Sequence, residues 1–386
     1  MNNKLIVIVS SEFPPGPGGI GKQACDLSQA LAWKGYRVSV FASQDYSNRI
    51  EVDAFNISLD TNISLIPFPR QGVSTYFNRW KLISDYLKKN PPEMVIVSGR
   101  FSIWLGYLIK KIIKRSIPVH AFLHGSELNK RNLFNHFFTK LALNNIDFLW
   151  AVSAFTRTQL LKAIKRTDIR VLPNGIWMDD WMNDDKKKES FSLNGNPSLL
   201  TVGRVSARKG QYRVVEALPV IFSQFKNVHY HIAGIPSGKE KVLELAQQMK
   251  VNNLISFHGK IPSLSMLANY YKSANIFIML SKNQKDGDTE GFGIAILEAN
   301  YFGKPAIGAT GCGIEDAICD GYNGRLVNGD DANEILSAIN DILNNYETYS
   351  SNARNWAAKH DWKLIIEQFI NHEELREEDK IAFLNK

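Results

Sequence analysis

At 386 residues, with 44% hydrophobic residues and a mean hydropathy of -0.20, the chain is expected to be soluble and, by size, to fold as two domains rather than one. No apolar run approaches the roughly 18 residues of a membrane-spanning helix, and Cys25, Cys312 and Cys319 are too few and too scattered for a disulfide framework or a zinc site. The net charge of +8 is uneven: residues 1–170 carry 23 Lys and Arg against 11 Asp and Glu, giving +12, and the remainder 23 against 27, giving -4; the basic half calls for an anionic partner such as nucleic acid, an acidic membrane face or a phosphorylated substrate.

The chain opens on KLIVIVS (4–10), which reads as a strand and not as a signal peptide. A cytoplasmic protein is expected, with peripheral contact to the inner face of the cell membrane as an extension of that reading. FPPGPGGIG follows and places Gly16, Gly18 and Gly21 in the GxGxxG spacing of a dinucleotide site. In such a site the glycine turn follows the strand at once, whereas here SEFPP intervenes. Three readings stand: an NAD(P)-dependent oxidoreductase, with Asp45 in place of the ribose-binding acid; a loop without a ligand; or bare amides at Gly18 and Gly19 meeting a phosphate ahead of a helix that begins near Ile20.

Further short apolar runs at 37–43, 93–99, 118–125 and 147–153 alternate with helical stretches, the pattern of a parallel sheet covered on both faces. In SIWLGYLIKKIIKRS (102–116), α-helical spacing places Leu105, Leu108, Ile109, Ile112 and Ile113 on one arc, and Lys110, Lys111, Lys114 and Arg115 with Trp104 and Tyr107 on the other. That face suits an anionic bilayer or is an ordinary solvated one. KRNLFNHFFTK (130–140) is a second basic and aromatic stretch. KKIIKR is the only support for a non-enzymatic scaffold binding nucleic acid or membrane, and no RNA-binding signature accompanies it.

The polar segment 182–198 reads as a linker. It predicts domains at 1–185 and 186–360, with a helical tail, 361–386, that packs back on the first domain. Apolar runs resume at 198–204, 229–234, 254–259, 274–280 and 304–310, predicting a second doubly wound α/β unit whose ligands lie beyond the strand carboxyl ends. VGRVSARKG puts Arg204 just past a strand and Lys209 five residues on, two cations on one loop for a phosphate. EGFGIAILEA sets Glu290 and Glu298 around a glycine turn. If the helix starts near Phe292, Glu298 sits about 9 Å along it, and the amides of Gly291, Phe292, Gly293 and Ile294 form an anion site between the two carboxylates. Asp286 and Asp288 form a DxD in a polar insertion, read as a solvated loop, and no metal is expected.

In order along the chain, FPPGPGGIG, HGSE, AVSAFT, LPNGI, GRVSARKG, FHGKIP, EGFGIAILEANYFGKPAIGATGCGI and DGYNGRLV resemble the retaining glycosyltransferases of family 4. The resemblance implies the GT-B architecture, two facing Rossmann-like domains with a cleft between them. It further implies Arg204 and Lys209 on the donor diphosphate with the amides at Gly19 and around Gly293, Glu298 on the ribose, and Glu290 on the transferred sugar. His124 would lie by the reacting sugar, and Gly259, Lys260 and Ile261 by the base. On chemical grounds Glu127 and His124 are candidate acid or base helpers, and Glu127 and Asn174 are candidate acceptor or cleft residues. No cofactor is implied beyond a UDP-, GDP- or ADP-linked sugar as co-substrate, with a glycan or lipid-linked acceptor, and no nucleic-acid partner is expected. Two positions depart from the pattern: Trp177 stands where Asp often follows PNGI, and GCGIED, with Cys312 and Asp316, replaces GGIPE.

Overall fold

The computed structural model describes residues 4–16, 18–45, 47–67, 74–113, 117–128, 132–182, 191–285 and 287–371. The chain divides into two compact units, Met1–Asn174 with Trp362–Lys386, and Gly175–Asp361. The division lies ahead of the polar segment that predicts a boundary near 185. Ile176 bridges to Asp361, and Trp181 packs on Tyr271 and Phe302, so residues just before that segment already belong to the second unit.

In the first unit, β1 (Leu5–Ser10), β2 (Arg37–Ala42), β3 (Ile63–Pro67), β4 (Met94–Ser98), β5 (Val119–Leu123), β6 (Phe148–Ala151) and β7 (Ile169–Val171) pair in parallel in the order β3-β2-β1-β4-β5-β6-β7. Ile8 stands between Val40 and Ile96 in register. The central strands are buried along nearly their whole length, because helices cover both faces of a parallel sheet, and their sequences are accordingly continuous apolar runs. The segment 362–371 is helical and belongs to this unit. It buries Trp362, Ile365, Ile366 and Phe369. The Phe369 ring lies 5.1, 5.5 and 5.8 Å from those of Trp150, His120 and Phe122, and Glu367 pairs with Lys34.

The expected helix over 102–116 is two pieces, an α-helix Arg100–Leu108 and a π-helical turn Ile109–Ile113. The wider i→i+5 winding changes the angular phase of the residues that follow. Ile112, expected on the buried arc, is therefore 56% exposed. Lys110, expected on the open arc, pairs with Asp147 at 2.9 Å. Trp104, ahead of that turn and expected on the open arc, packs against the core and donates to Thr139 Oγ1 at 3.0 Å. Lys114 and Arg115 lie outside the described residues. No helix among the described residues is long and apolar enough to cross a membrane.

The second unit holds β8 (Ser198–Val202), β9 (His229–Ala233), β10 (Ile255–Gly259), β11 (Ile276–Met279), β12 (Ala306–Ala309) and β13 (Gly324–Val327), all parallel in the order β10-β9-β8-β11-β12-β13. On β9 and β10, His231 Nδ1 lies 3.0 Å from His258 Nε2, and the His229 ring lies 4.7 Å from that of His231, tilted against it. Burial holds the His231 imidazole down at about 4 and lowers those of His229 and His258. An unfolded histidine takes up its proton near pH 6.5, so below that pH the unfolded chain binds more protons than the folded one. The stability these rings contribute is complete above about pH 6.5 and is lost as the pH falls towards about 4. His231→Gln is therefore expected to flatten the decline in melting temperature between pH 7 and pH 5, read by differential scanning fluorimetry.

Candidate active site

β8 runs into a loop, Gly203–Gly210, that turns back to start the Gln211–Gln224 helix. The turn requires glycine at 210, where φ is +71° and a Cβ would stand 1.9 Å from Leu280 O. This close approach brings the loop onto the carboxyl end of β11. Arg208 O accepts from Lys282 N at 2.9 Å, and the two neighbouring cations turn to one carboxylate. Lys209 Nζ is 2.7 Å from Glu290 Oε2, Arg208 pairs with the same oxygen, and Arg208 Nε reaches Asp288 at 3.3 Å. Glu290 is buried. Burial by itself would raise its pKa, but Lys209 and Arg208 outweigh burial and hold it below the usual carboxylate value. The Glu290 carboxylate is therefore ionised at neutral pH and held in one orientation.

Beyond Glu290, Gly313 N donates to Glu290 O at 2.9 Å, and a Cβ on Gly313 would stand 2.2 Å from Gly291 O. The 311–313 loop thereby fixes the GFG turn. Gly293, at φ +91°, leads into the Ile294–Tyr301 helix. That start is later than the expected one near Phe292, because the turn spends Phe292 and Gly293 outside the helix. Glu298 is thus about 6 Å along the axis instead of about 9 Å. It accepts from Tyr271 Oη at 2.6 Å. Gly259 ends β10 with φ +69° and open space where a Cβ would go, its carbonyl accepts from Gly234 N, and Lys260 beside it is exposed.

The structure sets Lys209 and Glu290 against each other, with Arg208 as a second cation on the same carboxylate. Arg204 is exposed, and its side chain has no partner among the described residues. Arg208 was legible only as the neighbour of Lys209 in SARKG, and nothing in the sequence points to Tyr271. Of the DxD pair, Asp288 is an ion-pair partner rather than merely solvated, and Asp286 lies outside the described residues. Cys312 is a buried thiol pushed up to about 11, chiefly by burial. Trp177 is buried with its Nε1 unpartnered among the described residues.

In the first unit the HGSE turn leaves β5 directly. His124 is buried, with Nε2 3.0 Å from Ser98 Oγ at the end of β4. Burial drops its pKa to about 4, so at neutral pH the ring is an uncharged hydrogen-bonding group. Glu127, 2% exposed, accepts from His124 N at 3.0 and 3.1 Å and from Gly125 N at 2.9 Å. Burial raises its pKa against the pull of those amides and of Arg100. With both oxygens on amides of its own turn, Glu127 braces the loop that carries His124. Arg100 closes the brace by donating to the Glu127 and Ser126 carbonyls at 2.9 and 3.0 Å. Asn174 is buried with Oδ1 unpartnered among the described residues.

The glycine loop ahead of the Gly19–Trp33 helix divides its work. A Cβ on Gly21 would lie 3.1 Å from Phe13 N, so Gly21 serves close packing; Gly18 lies under the Glu12 carboxylate; Gly19 has nothing within 4 Å of a Cβ position. Of these three, Gly19 alone has an open approach. The helix begins there, one residue ahead of the expected Ile20.

Residues 17–179 match the family described as Glycosyltransferase Family 4, and residues 182–359 the family described as Glycosyl transferases group 1. The chain belongs to the group 1/family 4 glycosyltransferases. Among curated relatives, this glycosyltransferase is 25% identical over 354 residues to the GDP-mannose-dependent alpha-(1-6)-phosphatidylinositol monomannoside mannosyltransferase of Mycolicibacterium smegmatis, covering 88% of this chain and 89% of that one. Its fold is that of sucrose-phosphate synthase from Thermosynechococcus elongatus, with a TM-score of 0.78 at 21% identity over 98% of this chain and 100% of that one. It is also that of Anabaena HepE in complex with UDP and glucose, with a TM-score of 0.77 at 18% identity over 96% and 100%. The glycosyltransferase thus has the GT-B architecture expected from its motifs.

Proposed function

We propose that the protein is a retaining glycosyltransferase that moves a sugar from a nucleotide-diphosphate sugar to a glycan or lipid-linked acceptor in cell-envelope polysaccharide or glycolipid synthesis. The observation that carries this reading is the Arg208–Lys209–Glu290 cluster beside the start of the helix that bears Glu298. In glycosyl transfer the anomeric carbon gains positive charge while the departing diphosphate gains negative charge, and fixed cations and helix amides stabilise the latter without reorganising. In this reading Lys209, Arg204 and the amides around Gly293 meet the diphosphate, with Gly19 adding its own, while Gly18, expected to do the same, is covered by the Glu12 carboxylate. Glu290, kept ionised by Arg208, accepts from hydroxyls of the sugar, and Glu298 accepts from the ribose. Gly259, Lys260 and Ile261 line the base, and neutral His124, oriented by Ser98, donates to or accepts from the reacting sugar.

The bond from the anomeric carbon to the phosphate oxygen breaks, and the acceptor oxygen bonds the same face. The acceptor's proton leaves on the freed phosphate. No metal enters this scheme. A mycobacterial relative named for GDP-mannose and neighbouring structures holding UDP support a nucleotide-sugar donor while leaving the base open between them. Proton NMR of the first product formed from an α-linked donor tests the stereochemistry. An α-linked product is expected, and a β-linked one overturns retention.

A further inference from the structure

The Leu133–Leu143 helix carries an apolar face that nothing covers among the described residues. Leu133, Phe134 and Phe137 are 79, 65 and 63% exposed. Phe138 joins them, its ring 4.4 Å from that of Phe134 and 6.0 Å from that of Phe137, and links them to Trp104 at 6.4 Å. These are protruding rings on a helix flank and do not form a groove. The charge of the surrounding sequence is one-sided. Between Met94 and Ile146 the sequence has eight Lys and Arg and one acidic residue, Glu127, and Glu127 is buried with its oxygens on the amides of its own turn. Lys110 and Arg100 are engaged by Asp147 and by backbone carbonyls, which leaves Lys111, Lys114, Arg115, Lys130, Arg131 and Lys140 as the cations of this stretch, three of them within or directly ahead of the helix in sequence.

Exposed rings on a stretch of chain rich in cations and poor in carboxylates are the complement of a bilayer interface, where rings enter the headgroup boundary and cations meet lipid phosphates. We propose that the outer face of the Leu133–Leu143 helix, with Leu133, Phe134 and Phe137 as the inserted wedge, docks the protein on an anionic lipid bilayer. The docking element is thus this helix, and the KKIIKR segment contributes attraction only. The same helix is tied to the His124-bearing turn, His136 Nδ1 lying 3.1 Å from Leu128 O. A bilayer held there lies one short turn from His124 along the chain, the position from which a lipid-borne acceptor would be presented. That last consequence rests on the proposed transferase reading, and the docking itself does not.

The test is flotation of the full-length protein with phosphatidylcholine vesicles, with and without phosphatidylglycerol. Wild-type protein is expected to float with the anionic vesicles, to stay behind with the neutral ones, and to be released by added salt. F134S/F137S removes two exposed rings and should cut bound protein by about tenfold or more at unchanged melting temperature, and K140E should weaken binding at low salt. Equal recovery on both vesicle types, or undiminished binding of F134S/F137S, overturns the proposal. So does a wild-type dimer in sedimentation that F134S/F137S dissolves while no vesicle binding is seen, since the face would then join two copies of the chain. Glu290→Gln is expected to bind vesicles like the wild type. An inactive wild-type protein that still docks through Phe134 and Phe137 would therefore refute the transferase reading and leave docking intact.

Discussion

Glu290→Gln is expected to lower kcat/KM for glycosyl transfer by about 10²–10³-fold, the scale of removing one preorganised group from a transition-state charge network. The carboxylate accepts two charged partners on Oε2, and a carboxamide can neither neutralise them nor accept from both along with a sugar hydroxyl. Lys209 and Arg208 would then repel each other beside an uncharged group. A buried charge that loses its partner costs stability as well. Because Arg208 keeps Asp288 and both cations retain some solvent, the loss should be smaller than for a fully buried pair, about 1–3 kcal/mol by urea unfolding. The folded pKa of Glu290 lies below its unfolded value, so the pairing contributes fully above the ordinary carboxylate range and is lost as pH falls through the lowered folded value. The stability gap between wild type and Glu290→Gln should therefore close on acidification. A transfer rate within threefold of wild type, or a gap that widens in acid, contradicts the role given to this carboxylate.

Lys209→Met should act on the other side of the same contact. The methionine keeps most of the apolar stem but removes the cation assigned to the leaving diphosphate, so the loss belongs mainly to kcat, about 10²-fold or more, with a smaller rise in KM. Arg208 remains to hold Glu290, so folding should be affected less than in Glu290→Gln. Steady-state kinetics of both variants separate the two roles. If Lys209→Met changed KM alone, the lysine would bind ground state and transition state equally and would not serve the leaving group.

Much of this architecture was readable because buried parallel strands announce themselves as apolar runs. Ten of the thirteen strands found among the described residues were anticipated from sequence, and the three that were not, β3, β7 and β13, are all edge strands. Each is only three to five residues long and mixes buried with partly or fully exposed positions, which leaves no run to detect. The site divides in the same way. Glu290, Glu298 and Lys209 were legible because glycine turns at strand ends are local signals, whereas the pairing of Arg208 with Asp288 and Glu290 links residues about eighty positions apart. The contacts of Glu127 with its own turn's amides leave no trace in composition. The π-turn at Ile109–Ile113 shows the limit of a helical wheel, which assumes one winding throughout.

The central claim is that the second unit holds a nucleotide sugar by Glu298 and the Lys209–Glu290 cluster. Differential scanning fluorimetry with UDP, GDP, ADP and NADH on wild type and Glu298→Ala tests it most directly, since a ligand of the folded state raises the melting temperature. One nucleoside diphosphate should stabilise the wild type, and Glu298→Ala, which removes the proposed ribose partner, should need about tenfold or more ligand for the same shift. Stabilisation by NADH alone, or an equal response of Glu298→Ala to the diphosphate, would contradict the account.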